Sequence, residues 1–141
     1  MTVLPASPGI YSTQVAGTNL IPDLERPDGT FVSPSNPARR GETLIAFVTG
    51  LGPTSPSVAT NALPVPGSTA TVQGTVIAGV NGGGATVISA ALSPDIVGVY
   101  LVTFVVPSSV PSGTNTDFSI GLLPQGTSKV YYSTLGYFPV Q

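Results

Sequence analysis

Three carboxylates fall within six residues, Asp23, Glu25 and Asp28, in a stretch that also holds Pro22, Pro27 and Gly29. Oxygen donors at that density in a turn-forming loop are the hard ligands that Ca²⁺ takes. The spacing lacks the twelve-residue loop and closing glutamate of an EF-hand, so the competing reading is a solvated loop with an acid paired to Arg26. Arg39, Arg40 and Glu42 form a second polar group beside Asn36-Pro37-Ala38. They read either as a small recognition patch or as an ion pair between Glu42 and an arginine across the loop, worth about 0–1 kcal/mol at a surface.

The hydroxyls point to no chemistry of their own. A serine or threonine nucleophile needs a base, and the chain has no His and no Cys. Its single lysine, Lys129, follows Ser128 directly instead of lying a helical turn away, and none of the six carboxylates is spaced to form a glycosidase pair. A covalent link from Lys129 to an Asn or Asp would need a dry core, whereas a lysine beside a strand more often guards an edge. Tyr11, Tyr100, Tyr131, Tyr132 and Tyr137 offer rings on which a glycan could stack. Consecutive Tyr131 and Tyr132 must point to opposite faces of a strand, so at most one joins a flat platform. No catalytic and no cofactor-binding residue is therefore expected, calcium at Asp23, Glu25 and Asp28 being the one ligand the acids could hold.

The elements that must position these residues are announced by composition. Seventeen glycines and fifteen prolines in 141 residues interrupt a helix too often for a helical bundle. With 41% hydrophobic and only 7% charged residues the chain has ample core material, and charge-driven disorder is excluded. Three arginines and one lysine cannot neutralise the roughly 6–10 phosphates of a nucleic-acid footprint, so no such partner is expected. No apolar run approaches the roughly 18 residues of a membrane span. Residues 1–8 have neither a basic region nor an apolar stretch, and do not read as a secretory leader.

Apolar, β-branched runs bounded by turn clusters predict about eight to ten strands and almost no helix. Thr43–Thr49 reads as a central strand covered on both faces. Residues 70–80 place Val72, Val76 and Val80 on one parity, with Gly74 and Gly79 marking bulges or a change of sheet. Residues 81–84 then turn the chain into a second strand over 85–92. Residues 98–106 predict another central strand, and 117–123 a strand with one buried face, Phe118, Ile120 and Leu122. Strands over 129–133 and 135–140 finish the chain. Short edge strands are expected over 9–15 and 19–24, with Asp28-Gly29 making a tight return into Thr30-Phe31-Val32. The predicted core is Leu44, Ala46, Val48, Val99, Leu101, Phe104, Phe118, Ile120 and Leu122. Apolar segments recur without a long polar gap, so residues 1–141 read as one domain with an irregular N-terminal segment over about 1–35.

A set of strings recurs in order: Ser7-Pro8-Gly9-Ile10-Tyr11, Asp28-Gly29-Thr30, Asn36-Pro37-Ala38-Arg39-Arg40-Gly41-Glu42, Thr49-Gly50-Leu51-Gly52-Pro53, Val97-Gly98-Val99-Tyr100 with Val105-Val106-Pro107, and Val110-Pro111-Ser112-Gly113. From about residue 7 to the end the chain resembles the uncharacterised C-terminal domain family of Solibacter-type large secreted acidobacterial proteins. The resemblance implies an all-β, immunoglobulin-like antiparallel β-sandwich, an extracellular or cell-surface location and no catalytic residues. The expected function is a structural or interaction module that contacts other proteins. The alternatives are a self-assembling filament or surface-layer subunit, and a glycan- or calcium-binding module. Residues 1–14 carry no charge that would guard a strand edge, so residues 1–32 are the expected interaction segment, with Ile10 and Tyr11 as its anchors and copies of the chain among its partners.

Overall fold

The structure is a computed structural model that describes residues 8–14, 20–59 and 62–141; among these every regular element is a β-strand. In chain order they are β1 (Gly9–Ile10), β2 (Ser12–Gln14), β3 (Leu20–Pro22), β4 (Leu24–Glu25), β5 (Thr43–Thr49), β6 (Thr54–Ser55), β7 (Thr71–Val72), β8 (Thr75–Val80), β9 (Gly83–Leu92), β10 (Tyr100–Val105), β11 (Gly113–Leu123), β12 (Tyr131–Tyr132) and β13 (Gly136–Val140). Eight of these have three or more residues, and five two-residue pairings bring the described total to thirteen. No helix among the described residues is long and apolar enough to cross a membrane.

All strand pairings are antiparallel, and the main path runs β1-β5-β10-β9-β8-β11-β12. Two devices curl it. Strand β9 serves both halves: its first three residues pair with β8, whereas residues 86–92 pair with β10. Along that second pairing the register shifts between Thr103 and Phe104, leaving Ile88 without a partner, so a bulge bends the strand there. The second device is Gly74, where the chain leaves β7, paired with β6 and β9, and enters β8, paired with β9 and β11. Both strands belong to one continuous sheet, so Gly74 marks a break between two of its strands and not the expected change of sheet. Gly79, by contrast, sits in unbroken register opposite Ser119.

A Cβ at Gly74 would lie 2.7 Å from the carbonyl oxygen of Leu123 and 2.9 Å from the Leu122 side chain. Backbone cannot yield as a flexible side chain does, so Gly74→Ala is expected to destabilise by about 1–3 kcal/mol, the usual cost of overpacking. At Gly84 nothing lies within 4 Å, and Gly84→Ala is expected to be neutral or slightly stabilising. Urea unfolding of the two variants checks the contrast.

The β8–β9 hairpin closes through Asn81 and Gly82, whose φ angles of 54° and 76° suit the two-residue turn matching strand twist. Inside the curl, Leu44, Ala46 and Val48 of β5, Val102 and Phe104 of β10, Ala78 and Val80 of β8, and Phe118, Ile120 and Leu122 of β11 form one buried cluster. Phe104 stacks on Phe118 with centroids 5.1 Å apart, and Phe138 of β13 meets Phe118 edge-on at 5.8 Å. Val72 is buried, and Val76 packs against the same cluster, as their parity predicts.

Two expectations require correction. Leu101 is half-buried and outside the core cluster, and Val102 takes the inner place. The reason is register: Val102 and Phe104 lie opposite Ala46 and Leu44, whereas Leu101 lies opposite Phe47 on the other face. Strand β5 is also not fully covered on both faces. Thr43, Ile45, Phe47 and Thr49 remain half-buried, which leaves an aromatic ring on the outer face.

Candidate binding groove

That outer ring is where three loops converge. Strands β1 and β4 both pair with the edge of β5 that β10 leaves open, β1 at Val48 and Thr49 and β4 at Ile45 and Ala46. Tyr11 follows β1; its amide donates to the Phe47 carbonyl at 2.9 Å, and its own carbonyl accepts from the Asp23 amide at 2.8 Å. Residues 11, 23 and 47 are thus tied together through backbone.

Phe31 is carried by the return after β4. Gly29 turns with φ 90°, and the Arg26 amide donates to the Thr30 carbonyl at 2.7 Å. The Asp28 carboxylate accepts from the Thr30 amide at 2.9 Å and from its hydroxyl at 2.7 Å. These bonds, the amide first, hold the Asp28 carboxyl below its ordinary value. The return is secured from behind by Arg26, which is 8% exposed. Its guanidinium donates to the carbonyls of Phe31 at 3.3 Å, Asn36 at 3.2 Å and Pro37 at 2.9 Å, and its Nε donates to the Glu42 carboxylate. Glu42 also accepts from the Arg39 amide at 2.9 Å.

This corrects the expected pairing. Glu42 bonds the side chain of Arg26, not of Arg39 or Arg40, because the pairing of β4 with β5 brings Arg26 beside the approach to β5. Arg40 instead reaches the Val110 carbonyl at 3.4 Å and the Ser112 hydroxyl at 3.2 Å. The pair is also not a surface one, its side chains being 9% and 17% exposed.

The fourth wall comes from the loop between β9 and β10. Buried Ser93 accepts through Oγ from the amides of Asp95 at 3.2 Å and Ile96 at 3.1 Å, and its own amide donates to the Val99 carbonyl at 2.7 Å. Together these segments line an open depression of about 340 Å³ with Tyr11, Asp23, Phe31, Phe47, Ile96 and Val99. A second depression of about 320 Å³ shares Asp23 and Phe31 with it and is otherwise lined by Thr13, Ile21, Pro22, Val32 and Ser33. Phe31 and Phe47 stack with centroids 6.3 Å apart and planes at 26°. Tyr11, Phe31 and Ile96 are 45%, 49% and 50% exposed, and the Asp23 carboxylate accepts from Thr13 Oγ1 at 2.5 Å. Such an arrangement can hold apolar groups and one positive charge.

The predicted site residues are therefore divided. Tyr11 lines the groove, whereas Ile10 packs against the core. Asp23 enters the groove, Glu25 is half-buried in β4 and Asp28 caps a turn in solvent. No group of three or more His, Cys, Asp or Glu among the described residues is placed to hold a metal ion. Of the interaction segment over 1–32, residues 1–7 and 15–19 lie outside the described residues; Gly9 and Ile10 pair with β5 of their own chain. The tyrosines do not form one platform: Tyr131 packs against the core, and Tyr132 is 59% exposed. Lys129 is exposed, its ammonium 5.1 Å from the centre of the Tyr131 ring.

Phe31, Phe47 and Ile96 were not among the residues singled out from sequence. One signal was available for Phe47, an aromatic residue on the parity of β5 opposite to Leu44, Ala46 and Val48. No family model, no curated protein and no solved structure matches this chain.

On the other side of β5 the loop Gly50-Leu51-Gly52-Pro53 is anchored by fully buried Leu51 and by Tyr100, whose hydroxyl donates to the Gly52 carbonyl at 2.6 Å. Burial raises the Tyr100 phenol above its ordinary value of about 10. The folded state thus favours the neutral phenol: its contribution is complete below the unfolded value and is lost as pH rises through the folded one. Alkaline titration of stability should show a loss in the wild type that Tyr100→Phe lacks; equal losses in both would contradict it.

Proposed function

We propose that this chain is a non-catalytic, extracellular interaction module with an immunoglobulin-like sandwich arrangement, which contacts another protein through the groove around Tyr11, Phe31 and Phe47. The observation that carries the reading is convergence: three large, half-exposed apolar side chains from separate loops, Tyr11, Phe31 and Ile96, line one depression. Each is held by backbone bonds or a buried arginine, so the surface is preorganised for contact. The sandwich arrangement is supported by the stacking of Phe104 from β10 on Phe118 from β11, across the interior of a curled sheet. The extracellular location rests on the resemblance in ordered strings from Ser7 to Gly113. The absence of His and Cys supports the non-catalytic reading.

A second reading, self-assembly, is favoured by another group of exposed apolar side chains near the C-terminus, Tyr132, Leu135 and Tyr137.

Site-specific photo-crosslinking in the source organism separates the two. Benzophenone placed at Phe31 is expected to give adducts with an exported or surface protein that the same group at exposed Thr127 does not give. Adducts with a second copy of the chain would assign self-assembly. Equal adducts at both positions, or adducts with intracellular proteins alone, would overturn the reading.

A further inference from the structure

Among the described residues the lining of the groove is aliphatic and aromatic except for one acid, and that acid forms no salt bridge with any of the chain's basic side chains. All four basic side chains of the chain lie in described residues, and their one salt bridge is between Arg26 and Glu42. Asp23 therefore lines the same depression as Tyr11 and Phe31 without an ion pair to any basic side chain. Three aromatic rings and a carboxylate around one open depression are the complement of a cation on an apolar stem, since ring faces attract positive charge and the stem covers the rings.

Building on the interaction reading, we infer that the groove takes an arginine side chain presented by an extended, otherwise apolar segment of a partner protein. The guanidinium meets Asp23 and the stem lies against Phe31, with flanking apolar residues in the two depressions that share Asp23 and Phe31. Arginine fits better than lysine for two reasons: its planar head stacks on aromatic faces, and it presents paired donors to a carboxylate. A copy of this chain is a poor source of that side chain. Arg26 is buried, Arg40 is bonded to Val110 and Ser112, and Lys129 lies over Tyr131, which leaves Arg39.

The test uses the whole chain and a labelled seven-residue peptide with one arginine between apolar residues, compared with the same peptide carrying citrulline, its neutral near-isostere. Fluorescence anisotropy at low salt should give at least about tenfold tighter binding of the arginine peptide, a preference that shrinks as salt screens the pair. Asp23→Asn should bring the two peptides to within about threefold, and Phe31→Ser should weaken both. Equal affinity of the wild type for both peptides would overturn the assignment of a cation while leaving an apolar contact surface in place. Binding of neither peptide by a chain with its native circular dichroism would also overturn it, and the interaction reading would then be judged by the crosslinking alone. Self-association that Arg39→Ala abolishes would overturn it in favour of a second copy.

Discussion

Phe118→Asp is expected to abolish folding. Phe118 is fully buried where β10, β11 and β13 meet, stacked on Phe104 at 5.1 Å and met edge-on by Phe138 at 5.8 Å. Removing a phenylalanine from such a site costs about 3–5 kcal/mol in lost burial and residual cavity. The new carboxylate adds several kcal/mol, because it would replace a ring packed on Phe104 and Phe138 with a charge that must shed its water. The combined loss is comparable with the roughly 5–15 kcal/mol that holds a typical domain together. Far-ultraviolet circular dichroism of Phe118→Asp should lose the β signal. Phe118→Leu, which keeps an apolar side chain, should stay folded with a lowered melting temperature. A cooperative melt of the aspartate variant near that of the wild type would show that this face of β11 is not in the core.

Arg26→Ala carries the second largest expected effect, a destabilisation of about 3–5 kcal/mol, typical of breaking a buried ion pair from one side. The alanine leaves the Glu42 carboxylate, 17% exposed, without its cation, and removes the donor from the carbonyls of Phe31, Asn36 and Pro37. Of these acceptors the Asn36 carbonyl keeps the Ser33 amide as a donor, so the larger part of the loss is the carboxylate left without its cation. Arg26→Lys should recover only part of the loss, because an ammonium cannot span the positions that the planar guanidinium reaches. In a double-mutant cycle with Glu42→Gln the losses should fall well short of additive. Urea denaturation of the four chains measures this, and additive losses would contradict a coupled pair. Because Arg26 also fixes the Phe31 carbonyl, the variant should bind less tightly through the groove even where it remains folded.

Strands with a single clear period were legible from the residues. Over residues 117–122 of β11 apolar positions alternate with Asp117, Ser119 and Gly121, so Phe118, Ile120 and Leu122 had to share a face whatever the rest of the chain did. A hairpin turn over 81–84 was equally local, although the structure tightens it to Asn81 and Gly82, which carry the positive φ that a two-residue turn requires, with Gly83 and Gly84 already in β9. Gly74 lies between the two. A glycine among valines signals close approach or a break, and the neighbouring backbone of Leu123 shows that here it is both.

Where the residues alone were silent, the missing information was long-range. Positions 98–106 are apolar on both parities, so the period could not say whether Leu101 or Val102 faces inward; the register against Ala46 and Phe47 decided it. Which arginine pairs with Glu42 is a question of the same kind. Arg39 and Arg40 are nearer in sequence, yet Arg26 is delivered to the carboxylate by strand pairing sixteen residues away. The groove is the extreme case. Tyr11, Asp23, Phe31, Phe47 and Ile96 come from separate segments and meet because β1 and β4 share one edge of β5. The sequence by itself determined an all-β chain, its principal strands, a hairpin near residues 81–84 and its poverty in catalytic groups, all properties of local pattern and composition. Tertiary structure alone decided which apolar face of β10 is buried, which arginine is, and which exposed rings share a depression with Asp23. Those depend on strand register and edge sharing, which local periodicity does not encode.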